Sequence, residues 1–269
     1  MDFSLSWPFA SRSCRMEKQK PITVSARLIA KKSLTPDVVE FTFRSEPSFS
    51  FQPGQFISIV IPGAGPGGRD LRRAYSIASS PELALDGQPA FELCVKLVEG
   101  GPGTTYLNSL KPGEAMTGMT PFGDFVYKPK AGRHAIFIST GTGLAPFRSM
   151  VLSRIYAEHP PASTRILFGA RAESDLLYTT EIVKALGTGN LVQALSRAQA
   201  DWCGFKGRVT DWLRENEGQI DWANTEFYLC GNGAMIDEAK QILAGKGVEK
   251  TSIHQEVYYK PKPGETHAN

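Results

Sequence analysis

Ala135-Ile136-Phe137-Ile138-Ser139 runs directly into Thr140-Gly141-Thr142-Gly143-Leu144-Ala145-Pro146, and the fold is decided at this junction. A short apolar, strand-like run ends at two glycines that let the backbone turn sharply, and a helix is expected over 145–157. Pro146 suits the first helical turn, where its missing N–H is not needed. Free N–H groups and partial positive charge at such a helix start suit a phosphate; the bland alternative is a tight strand–helix connection. The string is not a P-loop, since the Gly-Lys-Ser/Thr end is absent, and it is not Gly-x-Gly-x-x-Gly.

The same grammar continues towards the C-terminus. Arg165–Phe168 reads as a strand, 178–185 as a helix, Leu191–Ala194 as a strand, 208–215 as a helix, Glu226–Cys230 as a strand and 233–244 as a helix. Strands alternating with helices imply a parallel sheet with right-handed crossovers. Cys230-Gly231-Asn232-Gly233 makes a second strand-to-helix turn in that sheet, and in open α/β sheets such strand ends border the ligand crevice. Cys230 there either meets a bound ring or is a small buried thiol.

Before Lys128-Pro129-Lys130-Ala131-Gly132 the pattern is different. Ile22–Ile29, Val38–Phe43, Gln55–Val60 and Phe91–Leu97 alternate, and Pro53-Gly54, the Gly63–Gly68 loop and Lys111-Pro112-Gly113 punctuate them. Several short strands joined by turns predict a small antiparallel barrel or sandwich. One short helix is expected to start at Thr104 or Thr105, where a hydroxyl can cap it. The division that follows is an extension over 1–19, a β domain over 20–130, an α/β domain over 131–259 and a tail over 260–269. Within the β domain, Arg73-Ala74-Tyr75-Ser76 offers a guanidinium for a pyrophosphate, a planar phenol and a hydroxyl.

Composition narrows the function classes. The 269 residues are 41% hydrophobic and 21% charged, and no apolar run approaches the ~20 residues that a membrane-spanning helix requires. A net charge of +3, all of it within residues 1–130, does not point to nucleic acid and suits an acidic protein partner or ordinary scatter. Cysteines 14, 94, 203 and 230 have neither zinc nor iron–sulfur spacing, so no metal site is expected, and their scatter fits a reducing, cytoplasmic compartment. No Gly-x-Ser-x-Gly elbow occurs, and His134, His159, His254 and His267 form no obvious triad.

Arg73–Ser76, Leu93-Cys94-Val95-Lys96, Gly101-Pro102-Gly103-Thr104, Gly141–Arg148, Cys230-Gly231 and Glu256-Val257-Tyr258 together resemble the ferredoxin–NADP reductase superfamily, over roughly residues 20–259. The resemblance implies two domains: a six-stranded antiparallel FAD barrel and a five-stranded parallel, Rossmann-like NADP domain. It implies that Arg73 binds the FAD pyrophosphate, that Tyr75 stacks on the isoalloxazine and that Ser76 sits by its N5, with Ala74 between them. Cys94, Val95 and Lys96 would contact the same cofactor, and Gly103 and Thr104 would meet its phosphate from a helix start. Thr140, Gly141, Thr142 and Gly143 would hold the nicotinamide nucleotide's pyrophosphate. Cys230 and Gly231 would lie near the nicotinamide, and Glu256 would help place it or relay protons. Ser76, Cys230 and Glu256 are thus the candidate catalytic set, and Tyr258 rather than Tyr259 is the candidate aromatic at the flavin.

The 2′-phosphate that distinguishes NADP from NAD calls for arginines and a hydroxyl. Ser196-Arg197 resembles the family's pair at this group, and Arg171 and Arg208 stand at neighbouring strand ends, so NADPH is favoured over NADH. The expected activity is ferredoxin–NADP reductase chemistry with ferredoxin or flavodoxin as the one-electron partner. Alternatives are the reductase component of a multicomponent oxygenase and an FAD-holding subunit of a larger complex; Pro121-Phe122-Gly123-Asp124-Phe125 is wording shared with oxygenase reductases.

Overall fold

The computed structural model describes residues 20–259; the expected extension and tail lie outside them. The first sheet is built from β1 (Ile22–Thr35), β2 (Val38–Glu46), β3 (Phe56–Ile61) and β4 (Leu71–Ser76). A small hairpin, β5 (Ala84–Leu85) and β6 (Gln88–Pro89), precedes β7 (Phe91–Lys96); α1 (Pro102–Ser109) and β8 (Ala115–Phe122) complete this half. The six long strands are antiparallel neighbours in the order β4-β3-β8-β1-β2-β7. Immediately after β4, Ile77 bridges to Leu93 on β7, which brings the two edges together and closes the barrel. Alternation along β1 sends Val24, Ala26 and Leu28 inward, where they pack with Phe41, Phe43, Ile57, Ile59 and Phe91.

The second sheet contains β9 (His134–Thr140), β10 (Thr164–Ala170), β11 (Leu191–Leu195), β12 (Phe205–Lys206), β13 (Thr225–Asn232) and β14 (Ile253–Tyr259). All pairs are parallel, in the order β12-β11-β10-β9-β13-β14. This is six strands rather than the expected five, because the two-residue β12 adds to the edge beyond β11. Its brevity leaves no alternation for a sequence pattern to show. The central strands β9 and β13 are buried almost throughout, as a parallel sheet covered on both faces requires.

Five helices pack on this sheet: α2 (Ala145–Val151), α3 (Arg154–Glu158), α4 (Thr179–Leu186), α5 (Val209–Glu215) and α6 (Gly233–Gly245). The single helix expected over 145–157 is therefore two. Ser153 turns to extended backbone, its Oγ donates to the Met150 carbonyl at 2.6 Å, and the same oxygen caps α3 by accepting from the Tyr156 N–H. The chain order reverses between β9 and β13, so the crevice at their C-terminal ends is the topological switch point where such sheets bind ligands.

The two halves share a core. Val38, Ala78, Cys94 and Phe125 cluster with Phe137, Phe147 and Met150 of the parallel-sheet half. That packing holds the end of β4 close to the ends of β13 and β14.

Candidate functional site

Ser76 ends β4 and is buried; Glu256 lies on β14, 180 residues later. Ser76 Oγ donates to Glu256 Oε2 at 2.7 Å across the domain boundary. Burial raises the Glu256 pKa above the usual carboxylate range, and the Ser76 hydrogen bond opposes that rise. Cys230, at the end of β13, is the register partner of Glu256 and is fully buried. Burial pushes its thiol well above the ordinary value, the Glu256 charge adds to the rise, and a hydrogen bond with Tyr258 works against it. Ser76, Cys230 and Glu256 are thus one cluster assembled from both halves of the chain.

Tyr258 bridges this cluster and the open cleft. Its residue surface is 40% exposed, while its hydroxyl sits among Cys230, Glu256 and Ser76, where burial, first, and the neighbouring acids push its pKa well above the ordinary value. Tyr259 continues the ladder opposite Asn232.

A cleft of about 510 Å³ extends from Tyr258 along the switch point, past Thr140, Gly141 and Thr142 on one side and Gly231 and Asn232 on the other. The glycines keep it flat. Gly231 has φ +125°, and a Cβ on it would stand 2.7 Å from Thr140 Oγ1; one on Gly143 would stand 2.7 Å from the Cys230 carbonyl carbon. Asn232 caps α6 by accepting from the Ala234 N–H at 2.8 Å. The turn after β9 is a 3₁₀ segment over Gly141–Leu144 leading into α2, so N–H groups gather where the sequence pattern put them.

At the far end, Arg171, Ser196, Arg197 and Arg208 line one recess of about 360 Å³ together with Gly207 and Asp211. The Arg197 N–H donates to the Arg171 carbonyl at 2.8 Å, which draws two of the arginines together. Among the described residues, none of the three guanidiniums forms an ion pair. Asp211, the one acid in the recess, is engaged elsewhere: it accepts from the Arg208 backbone N–H and pairs with Arg214 at 3.1 Å. The recess therefore carries surplus positive charge suited to a phosphate.

On the barrel, Arg73, Ala74 and Tyr75 occupy the edge strand β4, with Arg73 and Ala74 exposed. Burial lifts the Tyr75 pKa to about 12, with Arg73 pulling the other way. Gly103, in the first turn of α1, admits the Tyr75 hydroxyl where any Cβ would collide with it. This bare edge, with a phenol seated against a glycine at a helix start, fits a flat ring carrying a pyrophosphate.

The other barrel candidates divide. Alternation on β7 turns Val95 into the barrel core, whereas the Cys94 thiol faces the interdomain core and Tyr178, and burial lifts its pKa to about 12. Lys96 lines the cleft and pairs with Asp37 at 3.1 Å. Thr104 does not cap its helix, which starts at Pro102 after Gly101; its Oγ1 lies 3.1 Å from both the Val98 and Gly101 carbonyls. Thr35, Asp37 and Val38, from the β1–β2 hairpin, also line the cleft and were not expected. No local pattern marks them, because their position depends on how the barrel docks.

The end of barrel strand β4 thus meets β14 beside a switch-point cleft, an arrangement suited to a flat-ringed cofactor on the barrel and a nucleotide in the cleft. Residues 25–127 match the oxidoreductase FAD-binding domain model, and residues 137–241 match the oxidoreductase NAD-binding domain model. Ferredoxin–NADP reductase B of Sorangium cellulosum (strain So ce56) is 36% identical over 244 residues, 87% of this chain and 96% of that protein. The reductase component of phenol 2-monooxygenase from Pseudomonas sp. (strain CF600) is 31% identical over 86% of this chain, which spans 64% of its length. A ferredoxin NADP+ reductase structure from Neisseria gonorrhoeae with bound FAD and NADP shares the fold, with TM-score 0.73, 20% identity, 88% of this chain and 99% of that one. The chain belongs to the ferredoxin reductase-like superfamily and is an oxidoreductase flavoenzyme. No described helix is long and apolar enough to cross a membrane, and the described residues include no cluster of metal-ligating side chains.

Proposed function

We propose that this chain moves electrons between NADPH, held over residues 131–259, and a ferredoxin-type one-electron carrier, through FAD held over residues 20–130. The observation that carries the reading is the Ser76–Glu256 hydrogen bond of 2.7 Å beside Cys230, at the point where barrel edge and nucleotide cleft meet. When bound, FAD supplies the change from two-electron hydride chemistry to one-electron steps.

The chain supplies placement. Arg73 would neutralise the FAD pyrophosphate, Tyr75 would lie along the ring, and Ser76 would present its hydroxyl at the ring's reactive edge. Val95 and Cys94 would meet FAD through backbone atoms alone, since their side chains are committed to packing. Gly103 supports Tyr75, and Thr104 contributes less than expected because its hydroxyl is bonded within its own loop. Across the cleft, Thr140–Gly143 and Gly231 receive the nucleotide pyrophosphate, with Lys96 approaching from the barrel. Arg171, Ser196, Arg197 and Arg208 receive the 2′-phosphate. The Tyr258 ring occupies the nicotinamide end and is displaced when nicotinamide enters. Glu256, sharing the Ser76 proton, orients that hydroxyl and holds a proton near the ring.

The mildly basic first half suits an acidic carrier. Ferredoxin is favoured by the name of the Sorangium relative, and flavodoxin is a second carrier of the same class. Oxygenase-reductase service is the alternative, supported by the phenol 2-monooxygenase relative. A reducing, cytoplasmic setting suits the free Cys94, Cys203 and Cys230. The test is NADPH-driven turnover with ferredoxins, flavodoxins and oxygenase components from the same source. Efficient reduction of a ferredoxin supports the proposal; failure with every carrier, while NADPH still reduces the flavin, removes the carrier assignment.

A further inference from the structure

Arg148 lies on α2, four residues beyond the Gly141–Leu144 turn that borders the nucleotide cleft. It is 8% exposed, yet it carries a full charge. Its Nε and Nη2 form a two-pronged pair with Glu181 of α4, at 2.6 and 3.1 Å, and the Tyr178 ring lies 4.4 Å from the guanidinium carbon. Those contacts stay within the parallel-sheet half and fix the plane of the guanidinium.

Nη1 is different, because it crosses to the barrel. It donates to the Glu92 carboxylate at 2.7 Å and to the Ala78 carbonyl at 3.1 Å, and Glu40 stands 3.8 Å away. The two acceptors and the nearby Glu40 carboxylate are close in structure to the flavin-site strands. Ala78 follows Ser76 by two residues, Glu92 precedes Cys94 by two, and Glu40 is the register partner of Cys94. The Ala78 N–H also bonds to the Glu92 carbonyl at 2.7 Å, so the acceptors form one block.

We propose that Arg148 is a positioning residue: its Nη1 fastens the nucleotide turn to the strand ends that carry the flavin site and so sets the angle at which nicotinamide meets the ring. The inference rests on the hydride-transfer function proposed above. The Glu181 fork and Tyr178 hold the guanidinium rigid, so a barrel displacement breaks the Nη1 bonds instead of being absorbed by a flexible side chain. The apolar interdomain core resists separation with little directional preference, and the directional bonds Ser76–Glu256 and Tyr127–His159 that also cross do not hold α2. The bonds at Nη1 are directional and do hold it.

The test uses FAD-loaded full-length protein with Cys14 and Cys203 changed to serine and nitroxide labels at positions 32 and 215, one on each half. Glu92→Ala removes the carboxylate that Nη1 bonds, leaves Glu40 beyond hydrogen-bond distance and leaves the Glu181 fork. It is expected to broaden the label-to-label distance distribution and to lower the limiting rate of flavin reduction by roughly tenfold to a hundredfold. The NADPH dissociation constant stays within a factor of about two, since no nucleotide contact is lost. Glu92→Gln keeps an acceptor for Nη1 and restores both readouts, which a general loss of stability would not explain. An unchanged distance distribution and limiting rate in Glu92→Ala overturns the proposal, as does a Gln variant as impaired as the Ala variant. Should Glu92→Ala not fold, Arg148→Lys decides: lysine cannot make the fork and the crossing bonds together, and wild-type behaviour in it overturns the proposal. A wild type that NADPH does not reduce refutes the parent reading instead, and the distance measurement then decides this one alone.

Discussion

Replacing Ser76 with alanine separates cofactor retention from cofactor chemistry. The change removes one hydroxyl that donates to Glu256 at 2.7 Å and leaves the Arg73 and Tyr75 contacts untouched. A hydrogen bond to a charged acceptor is worth about 1.5–3 kcal/mol. Loss of that bond weakens only the ionised form of Glu256, whose pKa burial has already raised. Its pKa therefore climbs further, because the hydrogen bond that opposed the rise is gone. If the same hydroxyl stabilises hydride transfer by the same energy, the limiting rate falls about 10- to 150-fold. The assay is rapid-mixing reduction of bound flavin by saturating NADPH, followed from mildly acidic to alkaline pH. The variant should purify yellow with full FAD content, reduce slowly, and show its acidic inflection displaced to higher pH. An unchanged rate and an unchanged profile refute the role given to Ser76, and so does a variant that loses its FAD.

Arg197→Ala should weaken NADPH binding by roughly 10- to 100-fold while NADH binding moves by no more than about twofold, read by nucleotide titration of the flavin spectrum. Equal losses for both nucleotides would remove the 2′-phosphate assignment. Gly143→Ala forces a Cβ against the Cys230–Gly231 backbone and should cost about 1–3 kcal/mol, a fall of a few degrees in thermal midpoint; an unchanged midpoint would show that the turn yields. Glu226 is a pH probe remote from the cleft. Its burial opposes ionisation, but bonds from Lys130 and His254 outweigh this and hold its pKa below the usual carboxylate value. A depressed carboxyl contributes stability above its unfolded pKa and loses it as pH falls through the folded one. Burial also lowers the His254 pKa, so its protonation adds to the loss as pH drops below the ordinary histidine value. Glu226→Gln should therefore flatten the acid limb of the melting curve, and an unaltered limb would contradict the coupling.

The architecture was legible where pattern and local chemistry coincide. Ala135–Ser139 with its glycine turn, and Glu226–Cys230 with the next, announced the two central strands, because parallel strands buried on both faces read as apolar runs. β8 was not legible: Gly118 and Pro121 interrupt Ala115–Phe122 and imitate a loop. A Cβ on Gly118 would stand 2.7 Å from Ile57 Cδ1, a crowding set by the neighbouring strand and not by local sequence. The break at Ser153 was hidden for a similar reason, since a serine within an apolar helical pattern does not declare whether it faces solvent or bonds back.

The candidate site was legible in its parts. Ser76, Cys230, Glu256 and the Ser196-Arg197 pair followed from the motif resemblance, Arg171 and Arg208 from their places at strand ends, and the structure brings each set together. What escaped were the contacts across the two halves that no motif marks. Asp37 at the cleft, the Cys94 thiol in the interdomain core and the crossing bonds of Arg148 join residues whose proximity no spacing encodes. The Tyr258 hydroxyl escaped too, because an aromatic near the C-terminus carries no sign of where its oxygen lies.

The most direct test is anaerobic titration of FAD-loaded protein with NADPH while the visible flavin band is followed. Transfer from a nucleotide in the switch-point cleft to a flavin at the barrel edge requires that the band bleach with one NADPH per flavin. A protein that takes up no FAD, or one that stays yellow with NADPH in excess, would contradict it.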